Sequence, residues 1–207
     1  MVITYDEIQS FNLSTMIIQR LGIDSSGRPL TIDGITGNLT KTATFISPHT
    51  TSAIGVKSAI NELLLGAEEL PIRVNGKWIR GNSGRFVSRY YLRDESSLRD
   101  HGAWCAAFVG WCLKQEMENA PYSFSALRLL ERCNSKSLVP SLGSIATWER
   151  PSAGRFNGHV GIVLHIDRDD AIWCIEGNTG RRGAVRIYKY AAPYARGTDR
   201  LLGFGKP

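Results

Sequence analysis

The apolar run of residues 102–113, which carries a cysteine near its head, constrains this chain more than any other stretch. Trp104, Phe108 and Trp111 recur three to four residues apart, so they line one face of a helix with bulky core side chains. The glycine at the start of the run lets the chain turn into that helix, which places Cys105 in the first turn. Unpaired backbone N–H groups and the positive end of the helix dipole lie there, and both favour a thiolate over a thiol.

The position of Cys105 allows two interpretations. A thiol at a helix N-terminus is a candidate nucleophile, whereas a free cysteine elsewhere behaves as a small buried hydrophobe. Cys112, two turns deeper among apolar residues, fits the second description. Position alone therefore leaves Cys105 open between a catalytic and a structural role, and the decision depends on residues further along the chain.

The composition is that of a folded globular protein, with 43% hydrophobic and 21% charged residues. No apolar run approaches the roughly twenty residues that a membrane-spanning helix needs, so we expect no membrane insertion. The N-terminus lacks a basic region followed by an apolar core, so we expect synthesis in the cytoplasm without a secretory signal peptide. A target outside the cytoplasm would then require another delivery route.

The net charge of +6 is unevenly distributed. Residues 1–52 contain three basic and four acidic side chains, so the basic surplus lies wholly in residues 53–207. Such a surplus indicates an anionic partner. The arginines are scattered and accompany no nucleic-acid-binding motif, so we expect no nucleic acid partner. An acidic polymer such as a bacterial cell wall fits the charge equally well.

The cysteines and acidic residues form no metal site that the sequence can identify. The four cysteines contain no CxxC pair, which argues against zinc and against a disulfide framework. Asp94, Glu95 and Asp100 could gather calcium, but they do not follow an EF-hand spacing. We therefore favour a solvated acidic loop there and expect neither a metal nor another cofactor.

The first 52 residues predict a small helical domain, with residues 47–52 as a linker. They resemble the peptidoglycan-binding-like three-helix module, in which an apolar helix ends in Leu-Gly and a glycine-marked turn opens a second helix. The resemblance implies that Asp33, Gly34 and Gly37 bind the cell wall; the alternative is a helical cap that packs on the main domain. The positions that carry it are Leu21, Gly22, Asp33, Gly34, Gly37 and Thr40.

After residue 133 the periodicity changes from helical to alternating. Helices followed by strands are typical of the α+β class. The segments that predict strands are 144–148, 159–167, 171–176, 184–190 and 201–204.

The second of these strands places a histidine near a glutamate. Val160, Ile162, Leu164 and Ile166 should share the core face, with His159 on the other. A turn at residues 167–170 folds the chain into a hairpin, which sets Glu176 opposite His159 to within about one residue. A glutamate at that point would orient the imidazole and stabilise its protonated form. His159 alone would fit a structural role, but together with Cys105 and Glu176 it indicates a reactive ring.

A thiol at a helix N-terminus, a histidine at a strand start and Glu-Gly-Asn on the next strand form the constellation of a papain-like cysteine hydrolase. More narrowly, residues 104–111, 158–163 and 176–178 resemble the cysteine, histidine-dependent amidohydrolase/peptidase (CHAP) family, a relative of the NlpC-type cell-wall peptidases. The resemblance implies a catalytic domain over residues 53–207, with helices packed on a central antiparallel sheet of about five or six strands.

The resemblance also implies the catalytic roles. Cys105 attacks an amide carbonyl, His159 transfers the proton, and Glu176 holds the imidazole. Asn178 either shares the role of Glu176 or holds a nearby loop. The backbone N–H of Cys105 helps to form the oxyanion hole. The candidates for the second donor are Asn82, Tyr90 and Tyr91.

Four aromatic residues are candidates for substrate contacts. Trp148 and Phe156 flank the loop that runs into His159, and either could instead belong to the core. Tyr91 and Trp104 complete the set.

The implied function is hydrolysis of a peptidoglycan amide, by an N-acetylmuramoyl-L-alanine amidase or by a stem or cross-bridge endopeptidase. Without a signal peptide, such a protein resembles a phage lysin released through a holin or an antibacterial effector injected into a competitor, which would have an immunity protein as a partner. The alternatives are a non-catalytic wall-binding protein and a cysteine protease or deamidase that acts on proteins.

Overall fold

The computed structural model describes residues 2–11, 13–47, 53–74, 76–79, 81–92, 102–151, 157–180 and 182–207. Within these ranges, no helix is both long enough and apolar enough to cross a membrane. The helices are α1 (Tyr5–Gln9), α2 (Thr15–Leu21), α3 (Asn38–Thr42), α4 (Val56–Leu65), α5 (Arg85–Tyr90), α6 (Cys105–Lys114) and α7 (Ala126–Glu131).

The strands form three sheets. The first five are β1 (Val2–Ile3), β2 (Gly22–Ile23), β3 (Thr44–Ile46), β4 (Ile72–Val74) and β5 (Lys77–Ile79). The other six are β6 (Ser135–Ser137), β7 (Ile145–Arg150), β8 (Asn157–Ile166), β9 (Ile172–Thr179), β10 (Ala184–Tyr190) and β11 (Arg200–Lys206).

The central sheet has six antiparallel strands in the order β10-β9-β8-β7-β11-β6. This arrangement, with helices packed against it, confirms the predicted α+β class and the expected number of strands. The strand β6 was not predicted, because Ser-Lys-Ser has no apolar side chain and all three residues are exposed at the sheet edge. The central strands β8 and β9 place the histidine and the glutamate on neighbouring positions.

Apolar residues cover both faces of this sheet. Val160, Ile162 and Leu164 lie in the core that the helices share, as the alternation predicts. Ile166 instead packs against the smaller cluster on the opposite face. The prediction for Ile166 was wrong because the pairing of β8 with β9 shifts between residues 163 and 165, and such a bulge reverses the side-chain alternation beyond it.

The nucleophile helix α6 lies directly on the central sheet. Helix α6 begins at Cys105, which confirms the predicted position of this cysteine in the first turn. A Cβ atom on Gly177 of β9 would lie 2.7 Å from Cζ3 of Trp104 and 2.8 Å from Cβ of Phe108. Glycine at position 177 therefore lets the first turns of α6 approach the strand that carries Glu176.

The N-terminal region is only partly helical. Helices α1, α2 and α3 accompany a small sheet with the strand order β1-β3-β2, in which Phe45 is fully buried. The region also contacts the central domain, since the backbone N–H of Lys189 donates to the Gly27 carbonyl (3.0 Å) and Arg20 Nη1 donates to the Leu64 carbonyl (2.7 Å). Most of the predicted linker lies outside the described residues, and the domain boundary at residue 52 stays a prediction.

Candidate active site

The structure brings Cys105 and His159 together at the N-terminus of α6. Cys105 is the first residue of the helix and is 5% exposed. Its sulfur accepts a hydrogen bond from the backbone N–H of Ala106 and shares a side-chain hydrogen bond with His159. The helix terminus thus supplies a donor to the sulfur, and the imidazole supplies a second one.

His159 connects the thiol to a buried carboxylate. The ring lies on β8, is 3% exposed, and its Nε2 is 2.8 Å from Oε2 of Glu176. Because Nε2 faces the carboxylate, the other ring nitrogen is the one that faces Cys105. The three groups therefore form a row in the order thiol, imidazole, carboxylate.

The contact between His159 and Glu176 is diagonal across the two strands. Glu176 pairs with Gly161 and not with His159. The predicted pairing is thus off by two residues, outside the expected margin of about one. The two side chains still meet because residues 159 and 161 share a face of β8. A Cβ on Gly161 would lie 2.8 Å from Cγ of Glu176, so the glycine leaves the space through which the carboxylate reaches the ring.

The charges within the row stabilise a thiolate and an imidazolium. Burial raises the pKa of the Cys105 thiol, but the charge of His159 and two hydrogen bonds outweigh it and bring the pKa below its ordinary value. Burial likewise opposes protonation of His159, yet Glu176 and Cys105 raise the pKa of the imidazole to about 9. The pKa of Glu176 is lowered, since His159 and Arg196 together outweigh the effect of burial.

At the other cysteines burial outweighs the effect of any nearby cation. Burial, followed by the charges of nearby carboxylates, raises the pKa of Cys112 and Cys174 well above the ordinary value. Burial also raises the pKa of Cys133 to about 11. Among the four thiols, the lowered pKa of Cys105 singles it out as the reactive one.

Asn178 does not join the row but holds the loop before Cys105. Its backbone is left-handed, with φ of 56°. With the amide oriented to satisfy both of its ends, Oδ1 accepts from the backbone N–H of Trp104 (3.0 Å) and Nδ2 donates to Oε1 of Glu69 (3.3 Å). Asn178 was expected either to share the role of Glu176 or to hold a nearby loop, and these contacts favour the loop. Glu69 was not identified from the sequence, where it is one of several acidic residues at the end of a helix.

The structure separates the three candidates for a second oxyanion donor. Tyr90 does not fit the role of second oxyanion donor, because its hydroxyl is buried in the core and donates to Oε2 of Glu62 (2.5 Å). The Tyr91 hydroxyl donates to the Ala103 carbonyl (3.1 Å). The Asn82 amide, in its satisfied orientation, donates to the Gly102 carbonyl (3.0 Å). Tyr91 and Asn82 therefore support the loop just before Cys105.

Two of the aromatic candidates for substrate contacts are core residues. Trp104 is fully buried and donates from Nε1 to Glu69 (2.9 Å), which corrects the expectation that it contacts substrate. Trp148 is also fully buried, with Nε1 donating to the Tyr194 carbonyl (2.7 Å), so the core alternative holds for it. Tyr91 is 6% exposed. Phe156 lies outside the described residues.

A half-exposed phenylalanine that stacks on Tyr91 was missed. Phe124 is 50% exposed and stacks on Tyr91 with 4.7 Å between the ring centres. The Tyr91 hydroxyl contacts the loop before Cys105, so Phe124 adds an exposed apolar surface to the ring that supports this loop. Its sequence context, a polar segment before α7, carries no periodic signal.

Two further residues at the site were missed. The Tyr190 hydroxyl donates to Oε1 of Glu176 (2.6 Å), and Arg196 Nε donates to its Oε2 (3.2 Å). Tyr190 ends a predicted strand, but nothing in that pattern indicates its partner. Arg196 lies in the irregular segment between β10 and β11, where periodicity carries no information.

The described residues contain no group of three or more His, Cys, Asp or Glu side chains that could hold a metal ion. Asp94, Glu95 and Asp100, considered for calcium, lie outside those residues.

The predicted cell-wall-binding turn forms a compact structure in the N-terminal region. Gln19 Nε2 donates to Oδ1 of Asp33 (2.7 Å), and Gly34 adopts a left-handed backbone with φ of 76°. Gly37 precedes the first residue of α3. A groove of about 360 Å³ runs beside this turn and is lined by Gln19, Asp33, Gly37 and Thr40 among others.

A thiol at a helix N-terminus, aligned with an imidazole and a buried carboxylate on an antiparallel sheet, is the arrangement that papain-like cysteine hydrolases use. Residues 98–178 match the family model of the CHAP domain. The match includes α6, the histidine strand and the strand of Glu176. Comparison with curated proteins and with solved structures gave no match.

Proposed function

We propose that this protein hydrolyses an amide bond of peptidoglycan with Cys105 as the nucleophile. The observation that carries the proposal is the position of His159 between Cys105 and Glu176, with the sulfur at the N-terminus of α6. This arrangement favours a thiolate, which is the attacking form of cysteine.

The reaction would proceed in two stages. The Cys105 thiolate attacks the amide carbonyl, and the backbone N–H of Cys105 donates to the developing oxyanion, a contribution of about 3 kcal/mol per donor. The His159 imidazolium then protonates the leaving amine, which gives a thioester and a neutral ring. The ring next takes a proton from water, whose attack on the thioester releases the acid and restores the thiolate beside the imidazolium.

Peptidoglycan is the proposed substrate for two reasons. CHAP domains are generally amidases and peptidases, and the basic surplus after residue 52 suits an anionic wall polymer. The scissile bond is either the N-acetylmuramoyl-L-alanine bond or a peptide bond of the stem or cross-bridge. The protein would act as a phage lysin or as a secreted antibacterial effector.

The N-terminal region would hold the enzyme on its substrate. The turn at Asp33, Gly34 and Gly37 resembles a wall-binding module, and the groove beside it supplies a concave surface with polar groups. Binding of purified sacculi by the Cys105→Ala variant, compared with the same variant carrying Asp33→Ala, tests this role. Equal retention of both variants would contradict it.

The function itself is tested by digestion of purified sacculi. Wild type should release fragments that the Cys105→Ala variant does not release, and mass spectrometry of the new termini identifies the bond. New amino groups on L-alanine would assign an amidase, and those on other residues an endopeptidase. If no wall type gave Cys105-dependent release, the proposal would fail and a protein substrate would be the next hypothesis.

A further inference from the structure

The Glu176 carboxylate accepts hydrogen bonds from two side chains besides that of His159. The carboxylate is fully buried, and His159 occupies only one side of Oε2. The Tyr190 hydroxyl donates to Oε1 (2.6 Å), and Arg196 Nε donates to Oε2 (3.2 Å). Both oxygens are therefore fixed by side chains that come from outside the predicted catalytic set.

Arg196 is itself held in place by the groups around it. Its Nη1 donates to Oδ2 of Asp199 (3.3 Å), and its Nη2 donates to the hydroxyl of Thr179 (3.3 Å). The Arg196 side chain is 20% exposed, and that of Asp199 is 6% exposed. A guanidinium whose three nitrogens all donate has a defined orientation, so the carboxylate that it binds is oriented as well.

The signs of the charges alternate along this row. A Cys105 thiolate is followed by the His159 imidazolium, the Glu176 carboxylate, the Arg196 guanidinium and the Asp199 carboxylate. A buried carboxylate without a cation and hydrogen-bond donors would tend to protonate, and it would then stabilise an imidazolium poorly. Arg196 and Tyr190 satisfy both requirements for Glu176.

Two effects of Arg196 on His159 oppose each other. The guanidinium repels the imidazolium, but it also keeps their shared carboxylate ionised and in line with the ring. The groups that face Glu176 are His159 from β8, Cys105 from α6, Tyr190 from β10, Arg196 from the segment after it, and Cys174 on its own strand. Because Glu176 is fully buried, we expect the second effect to be the larger.

We propose that Arg196 and Tyr190 are positioning residues, which hold Glu176 as an ionised and oriented partner of the His159 imidazolium and so maintain the reactive thiolate of Cys105. The inference rests on the proposed function for its catalytic meaning. Its chemical content, a thiolate that depends on residues 190 and 196, can be measured without any wall substrate.

The test measures the alkylation rate of Cys105 by iodoacetamide as a function of pH, with the modified residue identified by peptide mapping. The variants are Arg196→Gln, Arg196→Lys and Tyr190→Phe. The matched control is Arg200→Gln, which removes an arginine whose side chain is 75% exposed and whose partner, Glu149, lies on the surface. Hydrolysis of sacculi is measured in parallel.

Arg196→Gln should move the pH midpoint of Cys105 alkylation upward and slow the reaction at neutral pH by roughly 10- to 100-fold, the loss expected for a hydrogen bond to a charged group. Arg196→Lys should recover part of this loss, because the charge returns without the fork of donors. Tyr190→Phe should shift the midpoint in the same direction by a smaller amount. Arg200→Gln should match wild type.

A purely structural role predicts a different result. If Arg196→Gln and Tyr190→Phe lowered the melting temperature but left the pH midpoint of Cys105 unchanged, the proposal would be overturned. A shift to lower pH in Arg196→Gln would overturn it too, because repulsion of the imidazolium would then dominate. If Arg196→Gln did not fold, the pH midpoint of Cys105 alkylation in Tyr190→Phe, a variant that changes no charge, would decide between the positioning role and the purely structural one.

The two proposals can fail separately. Wild type that hydrolyses no sacculi, while the Arg196 and Tyr190 variants shift the alkylation midpoint, would reject the proposed function and support the positioning role. Hydrolysis that depends on Cys105, with alkylation midpoints unmoved in these variants, would support the function and reject the positioning role.

Discussion

The two ends of helix α6 carry cysteines whose pKa values are shifted in opposite directions. Cys105 and Cys112 are seven residues apart, about 10 Å along the helix, and both are buried. The pKa of Cys105 is lowered despite its burial because His159 faces it. Burial raises the pKa of Cys112, and the carboxylates nearby raise it further. Reactivity therefore follows from the partner of the thiol and not from its exposure.

Carboxylates lie near both thiols but act on different partners. Near Cys105, Glu176 binds the imidazole and so acts on the thiol through a cation. Near Cys112, Glu116 accepts from the backbone N–H groups of Gly55 (3.0 Å) and Ser58 (3.1 Å), which fixes the start of α4. We propose that the first carboxylate orients the imidazole for proton transfer, whereas the second fixes the start of α4.

Replacing each cysteine in turn should give the largest contrast. Cys105→Ala should lower hydrolysis of sacculi by about 10⁴-fold or more, since no other nucleophile replaces the sulfur. Cys112→Ala should retain activity within a few-fold and cost about 1 kcal/mol of stability, as a small core deletion does. Turnover and chemical denaturation of both variants check this. Comparable losses of activity in the two would contradict the contrast between them.

A methyl group at Gly161 should disturb only the Cys105 end. The added Cβ would lie 2.8 Å from Cγ of Glu176 and 2.9 Å from the carbonyl oxygen of Ile175, so the carboxylate and the strand that carries it must both shift relative to His159. We expect Gly161→Ala to lower kcat by roughly 10- to 100-fold, as the loss of an orienting hydrogen bond does. The control is Gly81→Ala, where an added Cβ meets nothing within 4 Å. Steady-state kinetics on sacculi measure this effect. If Gly161→Ala and Gly81→Ala both had the kcat of wild type, the prediction for Gly161 would be wrong.

The pH dependence should report the imidazolium at the Cys105 end. The pKa of His159 is raised from 6.5 to about 9, so the stability that its partners give to the charged form is complete below pH 6.5 and is lost as the pH rises through about 9. Hydrolysis should fall about tenfold per pH unit above that value. A pH–rate profile of kcat/KM measures it. A profile that is flat to higher pH would exclude the imidazolium as the acid.

The carboxylate near Cys112 should affect stability alone. Glu116→Gln removes the charge that caps α4 and should cost about 1 kcal/mol, as the loss of an N-cap does. Its pH–rate profile should overlay that of wild type, because Glu116 contacts no member of the row at Cys105. Thermal denaturation and the pH profile together check this. If the pH–rate profile of Glu116→Gln were shifted from that of wild type, the carboxylate near Cys112 would influence ionisation at Cys105, which would contradict this prediction.

The sequence predicted the elements that local patterns determine. The periodicity of the Trp and Phe residues placed Cys105 at the start of α6, and alternation placed His159 and Glu176 on adjacent antiparallel strands. The same periodicity predicts a core position for Trp104, which the structure confirms, so its assignment as a substrate contact was wrong. The α+β class and the elements that carry Cys105, His159 and Glu176 could thus be predicted from residue patterns, whereas the architecture of the sheet and the catalytic roles came from the family resemblance.

Contacts between residues distant in sequence could not be predicted. The bulge near residue 163 depends on how β8 and β9 pair, and it displaced Ile166 to the other face. Asn178 reaches Trp104 because α6 lies on β9, which no local pattern records. Arg196 lies in an irregular segment, so only the folded chain brings it to Glu176.

The central claim is that His159 makes the Cys105 sulfur a thiolate in the folded protein. The most direct measurement is the ultraviolet absorbance of the thiolate during a pH titration, taken as the difference between wild type and Cys105→Ala and repeated with His159→Ala. We predict that in wild type the Cys105 sulfur titrates below the ordinary cysteine pKa, and that this lowering is lost in His159→Ala. A sulfur that titrates at the ordinary cysteine pKa in wild type, or identically in both proteins, would contradict the account.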